Sequence, residues 1–371
     1  MKKSKALALG LGATALSLSL AEVWKLSRSL GSLHRVDEQG ALYYAEYRGN
    51  YYDPLLRLPS RIMGSGGCSA FYCRDEQGEL LSCRNYDLPH RDKSGSFTGL
   101  NVVLRCRPRK GYASLGVADA AWLSMLKLPY TMGALDEGKV CRIPAALLPW
   151  LTMDGINEKG LCLSIHALDL KAGEAPVNQQ VEGRETMSVN ELLRFGLDEC
   201  ANVEEFLALA DSVNLHHLLH ADFHIFAADA TGRAVVLEWR CNELYVTAQD
   251  AVTNFYVCSD DGCDSYRKGK LKERFTPPPA TARSYHYGYG HGYGRFYALA
   301  EALSAHGSRE EELAVFTTEE AAELLSAVSQ RFNAADLTSA TQYSAIYHHG
   351  RLSLDIFSMR DYGKMYSFTL N

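Results

Sequence analysis

The chain has 371 residues, a formal net charge of −6 and an apolar share of 47%. That length holds one large domain or two ordinary ones, and that composition belongs to a globular protein able to bury a core. No basic stripe runs beyond a few residues, which argues against nucleic acid as a partner.

The N terminus opens on a basic head, Met1-Lys2-Lys3-Ser4-Lys5, followed by an apolar run from Ala6 to Ala21. Roughly 16 apolar residues suit a secretory signal better than a spanning helix, which needs about 20. Ser19-Leu20-Ala21 is a weak small-x-small cleavage site. Residues 1–21 therefore read as a signal peptide or a signal anchor, the plainer alternative being a buried N-terminal helix. Either signal reading makes the remainder extracytoplasmic, secreted or membrane-anchored, with a membrane tether through the N terminus in the second case. Residues 22–67 are polar and mixed around a β-looking Leu42-Tyr43-Tyr44-Ala45-Glu46-Tyr47 and end in Pro59 and Gly64-Ser65-Gly66-Gly67. They read as a propeptide or linker before a catalytic domain over 68–371.

From Cys68 onward strands dominate. Ser69–Cys73 and Leu80–Arg84 form a hairpin pattern around Gly78, with shorter strands at Asn101–Arg105 and Leu115–Val117. Asp154-Gly155-Ile156-Asn157-Glu158-Lys159-Gly160 is turn chemistry before the apolar Leu161–Ile165. The period then changes to that of helices over Ser188–Cys200 and after the Asn202 cap. Phe223–Ala228 and Ala234–Trp239 bracket a hairpin turn, and Leu244–Thr247 and Val252–Cys258 continue in strand fashion. Gly294–Ser304 and Thr317–Ser329 have helical spacing, and Tyr343–His348, Leu352–Met359 and Met365–Leu370 alternate as strands. This order predicts an α+β fold of two sheets covered by helices.

The chain has 10 cysteines and no CxxC pair, so a zinc ribbon is not expected. Cys73 with Cys83, and Cys258 with Cys263, are candidate disulfides of an exported protein. Most of the cysteines sit in apolar segments as small core residues. His216, His217, His220 and His224 have spacings that suit metal ligation, yet Phe223 and Ile225 make that stretch a strand, and no metal site is expected. Tyr285-His286-Tyr287-Gly288-Tyr289-Gly290-His291-Gly292-Tyr293 is either a surface loop or an aromatic lid over a pocket.

The chemistry concentrates on Cys68. A thiol behind a glycine run, with Arg84 and Asp87 on the neighbouring strand, can make an activated nucleophile. A cut between Gly67 and Cys68 would add an α-amine, which titrates at about 7.7–8.0 and can take the thiol proton. Further on come Asn254 in Val252-Thr253-Asn254-Phe255, Arg295 in Gly294-Arg295-Phe296, and Thr341-Gln342-Tyr343-Ser344.

With Asp154-Gly155-Ile156-Asn157-Glu158-Lys159-Gly160-Leu161 between them, these residues in this order resemble the choloylglycine hydrolase and penicillin V acylase family. Its members are linear amide C–N hydrolases with an N-terminal cysteine nucleophile, and the resemblance runs from Cys68 to the C terminus. It implies a four-layer αββα Ntn-hydrolase sandwich, matured by cleavage before Cys68, that hydrolyses a small-molecule acyl amide without a cofactor. It also implies roles: Cys68 as nucleophile and proton carrier, Asp87 holding the ammonium, Arg84 favouring thiolate, Asn254 donating to the oxyanion and Arg295 steadying the site. One position departs from the pattern. Where relatives carry an asparagine or tyrosine for the oxyanion hole, this chain has Ala167 after His166, leaving a main-chain N–H as the donor. Tyr293, beside Arg295, is a further candidate for substrate contact. Two rival readings are an acyltransferase on the same fold and an unprocessed, membrane-anchored binding protein; association into a homo-oligomer stays open.

Overall fold

Residues 20–39, 41–52, 67–88, 90–91, 97–126, 143–168, 176–217, 222–240, 242–257, 292–309, 312–332 and 340–371 are described by the computed structural model. Helix α1 (Leu20–Ser32) and the short strand β1 (His34–Arg35) lead into β2 (Leu42–Gly49). The expected hairpin follows as β3 (Gly67–Arg74) and β4 (Leu80–Asp87), turning at Gly78, whose φ of +84° suits glycine. Next come β5 (Asn101–Pro108), β6 (Ser114–Asp119), β7 (Thr152–Asn157) and β8 (Cys162–Leu168). Helices α2 (Val189–Glu199) and α3 (Val203–Ser212) start at Ser188 and Asn202, whose side chains each accept the amide of the third helical residue.

Strands β9 (Asp222–Ala228), β10 (Ala234–Arg240), β11 (Glu243–Ala248) and β12 (Ala251–Val252) then precede helices α4 (Gly292–Ala305) and α5 (Thr318–Val328). The chain closes with β13 (Thr341–His348), β14 (Ser353–Ser358) and β15 (Met365–Thr369).

Among the described residues these strands build two large sheets, ordered β1-β2-β5-β6-β7-β8-β9-β10-β11 and β12-β3-β4-β13-β14-β15. Helix α2 packs on β7 and β8 of the first sheet with α3 against α2; α4 and α5 pack on β3, β4 and β13 of the second. The expected α+β sandwich is therefore present, with helices outside and two sheets facing each other. Strands β7, β8 and β9 are buried along their whole lengths, as strands covered on both faces must be.

Three expectations meet a different structure. Over residues 22–52 the supposed linker is helix and sheet: β2 pairs in parallel with β5 from Leu42 opposite Asn101 to Gly49 opposite Pro108. Its composition looks mixed because Leu42, Tyr43, Ala45 and Tyr47 are buried while Arg48 is exposed. The strand expected over Val252–Cys258 ends at Val252, where the chain leaves the sheet and Val257 N–H donates to Glu238 instead of to a ladder. Cys73 and Cys83 are free thiols, because the register sets Cys73 opposite Leu81 and Cys83 opposite Phe71. Cys258 and Cys263 lie outside the described residues, as do residues 1–19. No helix among the described residues is long and apolar enough to cross a membrane.

The Asp-Gly-x-Asn motif is mostly scaffold. A Cβ on Gly155 would sit 2.9 Å from the Leu115 carbonyl and 3.1 Å from Leu197, so only glycine lets β6, β7 and α2 approach this closely. Asn157 donates to the carbonyls of Leu197 and Cys200 at the end of α2 and accepts from the amides of Lys159 and Leu161. Gly155→Ala is expected to lower stability by about 1–3 kcal/mol through overpacking, measured by urea unfolding; an unchanged midpoint would refute the close-approach account.

Candidate active site

Cys68 is the second residue of β3 and is buried, at 3% exposure. On β4, Arg84 stands diagonally across from it, and its Nη2 lies 3.4 Å from the Cys68 sulfur. The same guanidinium reaches across to the other sheet. There the pairing of β7 with β8 stops at Asp154 opposite Ser164. One residue further, the carbonyls of Met153 (2.6 Å from Nη1) and Ile165 both accept from Arg84. Arg84 thus takes the place of the ladder bonds that would have closed the sheet.

A bulge makes this possible. Opposite β7, Val117 pairs with Asp154 and Ala118 with Thr152, so Met153 is the extra residue whose carbonyl turns out of the ladder. Asp154 compensates the arginine charge at 2.8 Å, both groups being almost wholly buried. Its carboxylate also accepts from the Tyr343 hydroxyl at 2.5 Å and from that of Tyr347.

The Thr341-Gln342-Tyr343 motif is a second bulge. Thr341 faces Asp87 and Tyr343 faces Tyr86, leaving Gln342 as the extra residue, whose Nε2 donates to the Leu88 carbonyl. Thr341 Oγ1 then donates to Asp87 at 2.6 Å, and Gln330 Nε2 donates to it at 2.8 Å. Asp87 is also the register partner of Gly67, which places it beside the bond preceding Cys68.

Asn254 and Arg295 complete the cluster. Asn254 Oδ1 accepts from the Cys68 backbone nitrogen at 2.9 Å and from Arg295 Nη2 at 2.5 Å, while its Nδ2 donates to the Ala167 carbonyl at 2.7 Å. Arg295 Nη1 bridges the Cys68 carbonyl at 2.9 Å and Asp87 at 3.0 Å. All five residues singled out from the sequence are therefore within one connected network.

Burial pushes the Cys68 thiol above its ordinary value; Asp87 acts in the same direction, and Arg84 offsets only part of this. With the chain uncut, the arginine does not by itself make a thiolate.

Other residues support Asn254 that the sequence alone does not single out. His224 Nε2 donates to the Thr253 carbonyl at 2.7 Å and its Nδ1 faces Glu238 at 3.1 Å, so this histidine fixes the main chain next to Asn254. Gly292 belongs here too: a Cβ would come 2.9 Å from the Asn254 nitrogen. No spacing rule links these positions, since they meet only through the sheet.

The remaining candidates are placed as follows. His166 is buried, bonded to Ser164 at 2.8 Å and set edge-on to His224 at 5.8 Å. Burial, then the charges of Arg84, His224 and Arg295, hold it well below the usual histidine range, so it is neutral. Tyr293 stacks on Phe255 at 4.1 Å, one residue from Asn254. His217 pairs with Asp222 at 2.8 Å; His220 and residues 285–291 of the aromatic tract lie outside the described residues.

A buried cysteine opening one sheet of an αββα sandwich, with its own backbone nitrogen gripped in the same cluster, defines an amide-hydrolase type of site. The family model for linear amide C–N hydrolases, choloylglycine hydrolase family, matches residues 68–254, and the chain belongs to that family. The protein is accordingly a hydrolase acting on carbon–nitrogen bonds. Solved structures share the fold. A cysteine-to-alanine variant of the conjugated bile acid hydrolase from Clostridium perfringens aligns with TM-score 0.51 at 15% identity, over 82% of this chain and 92% of that one. An arginine-to-leucine variant of the same enzyme aligns with TM-score 0.52 at 14% identity, over 82% and 93%. A penicillin V acylase from Agrobacterium tumefaciens aligns with TM-score 0.45 at 15% identity, over 78% and 83%. No curated protein sequence matches the chain.

Two outcomes follow from the electrostatics. Asp154→Asn leaves the Arg84 charge buried without its counter-charge and should cost about 3–5 kcal/mol in urea unfolding; a loss no larger than that of Tyr347→Phe would refute the pairing. A raised thiol pKa means that thiolate appears only at higher pH. Alkylation of Cys68 in the uncut chain should therefore still be accelerating above about pH 8.5, the ordinary cysteine value; a plateau at neutral pH would contradict it.

Proposed function

We propose that cleavage before Cys68 creates an N-terminal cysteine, and that the mature enzyme hydrolyses a non-peptide linear amide through a Cys68 thioester. The observation that carries this is the grip on both ends of one residue. The Cys68 sulfur lies 3.4 Å from Arg84, and its backbone nitrogen lies 2.9 Å from Asn254 Oδ1.

The need for the cut follows from the thiol itself. Burial keeps it protonated, so a base must remove its proton, and an α-amine titrating at about 7.7–8.0 is suited to do so near neutrality. In the proposed cycle the freed amine takes the thiol proton as sulfur attacks the substrate carbonyl. Asn254 Nδ2 and the Ala167 N–H meet the oxyanion, and the amine passes the proton to the leaving nitrogen. Water then attacks the thioester with the same amine as base, the acid leaves, and the thiol is restored. Arg295 Nη1 holds the geometry by donating to both the Cys68 carbonyl and Asp87.

Substrates of the class N-acyl amino acid, conjugated bile salt or penicillin V side-chain amide suit this chemistry. The apolar head is read as an export signal or anchor, which makes the site extracytoplasmic.

The test is a panel of acylated glycines, acylated taurines and phenoxyacetyl amides, read as free acid released. Wild type should turn over at least one, with a rate that rises with pH as the amine loses its proton. Cys68→Ala should abolish turnover while keeping the wild-type unfolding curve; retained activity would remove Cys68 from its role. Asn254→Ala should cost about 10²–10³-fold in kcat, the loss of one oxyanion donor.

A further inference from the structure

We propose that the segment 20–52 is a permanent subunit of the mature enzyme, held without a covalent bond once the chain is cut before Cys68. This rests on the cleavage reading above and extends it: the leader is a structural part and is not discarded.

The segment is fastened along its whole length. In the middle, β2 lies between β1 and β5, with an eight-residue parallel ladder to β5. Removing it would strip the edge of β5, where Val102, Val103, Leu104 and Cys106 are buried, and leave an apolar unpaired strand. At its beginning, the buried Asp37 accepts from Ser358 Oγ of β14 at 2.6 Å and from the amides of Ala41 and Leu42. Tyr44 stacks on Phe368 of β15 at 5.2 Å.

The end of the segment is held most tightly. The hydroxyls of Tyr51 and Tyr52 both donate to Asp198 of α2, at 2.6 and 2.5 Å. Asp198 is itself paired with the buried Arg194, whose Nη2 also reaches Ser114. Trp150 Nε1 donates to the Tyr51 carbonyl at 3.1 Å, and Tyr52 packs against Trp150 and Phe195. Losing the segment would leave a buried indole N–H without its acceptor and a buried carboxylate short of two donors, each a substantial desolvation cost. The bond before Cys68 lies beyond this last anchor, so cutting it severs none of these contacts.

One consequence concerns the apolar head. If that head is kept as an anchor, it tethers the mature enzyme, because the piece that carries it stays in the sheet.

The experiment is purification of the full-length protein under native conditions through a C-terminal tag, followed by mass measurement after denaturation. Two equimolar polypeptides are expected, one starting at Cys68 and one ending at Gly67 and containing residues 20–52, from a single native species. Recovery of only the chain starting at Cys68 would overturn the retained subunit while leaving the cleavage reading intact. Recovery of one uncut chain would sink the cleavage reading, and the two-chain enzyme with it. A Tyr51→Phe, Tyr52→Phe double variant, which removes only the two hydroxyls, should release the N-terminal piece at a lower guanidinium concentration. Release at the wild-type concentration would overturn the assigned clamp on Asp198.

Discussion

A single guanidinium holds the two sheets in the relation that makes the site. Arg84 leaves β4 of one sheet, enters the other where β7 and β8 part, and bonds the Met153 and Ile165 carbonyls and the Asp154 carboxylate. A buried charge is tolerated when it is paired and hydrogen-bonded, and these partners give a counter-charge and acceptors for both Nη groups. The bulge at Met153 and the early end of the β7–β8 ladder are therefore parts of one arrangement. The opened edge of β8 serves the site a second time, two residues on, where the Ala167 carbonyl receives Asn254.

Cys68 is positioned by this arrangement without being ionised by it. Arg84 approaches the sulfur, yet burial dominates and keeps the thiol protonated. Under the proposed cleavage, activation falls to a group that the fold already holds, the backbone nitrogen bonded to Asn254. Asn254 depends in turn on His224, on the close pass of Gly292 and on Arg295, so the precision of the site is spread over both sheets and helix α4.

The N-terminal segment changes what counts as the catalytic domain. The family match begins at Cys68, but the nine-stranded sheet does not. Its β2 shields the edge of β5, and Tyr51 and Tyr52 close over Asp198 and Trp150 at the helix layer. Parallel pairing is what lets a segment from before the cysteine lie next to β5 without a hairpin between them.

Much of the site was legible in the chain, because motifs in fixed order constrain which residue types recur together. The Cys68, Arg84 and Asp87 spacing is that of a two-strand hairpin, and period-2 alternation located many strands, although β7 (Thr152–Asn157) falls largely in the stretch read as turn chemistry. What the residues by themselves left open was the purpose of Asp154, Gly155, Asn157 and Thr341. These proved to be a counter-charge, a close approach, a turn and a bulge, each defined by a neighbour far away in sequence. The propeptide or linker reading of residues 22–67 left open, for the same reason, that 22–52 is helix and sheet. Leu42–Tyr47 has a local strand pattern, but only its place between β1 and β5 shows that it belongs to the core. Local pattern determined the strands, the turns and the order of the chemical groups. Tertiary structure alone decided which carbonyls Arg84 would occupy, what would hold Asn254 and where the N-terminal segment would lie, because those choices depend on contacts between distant parts of the chain.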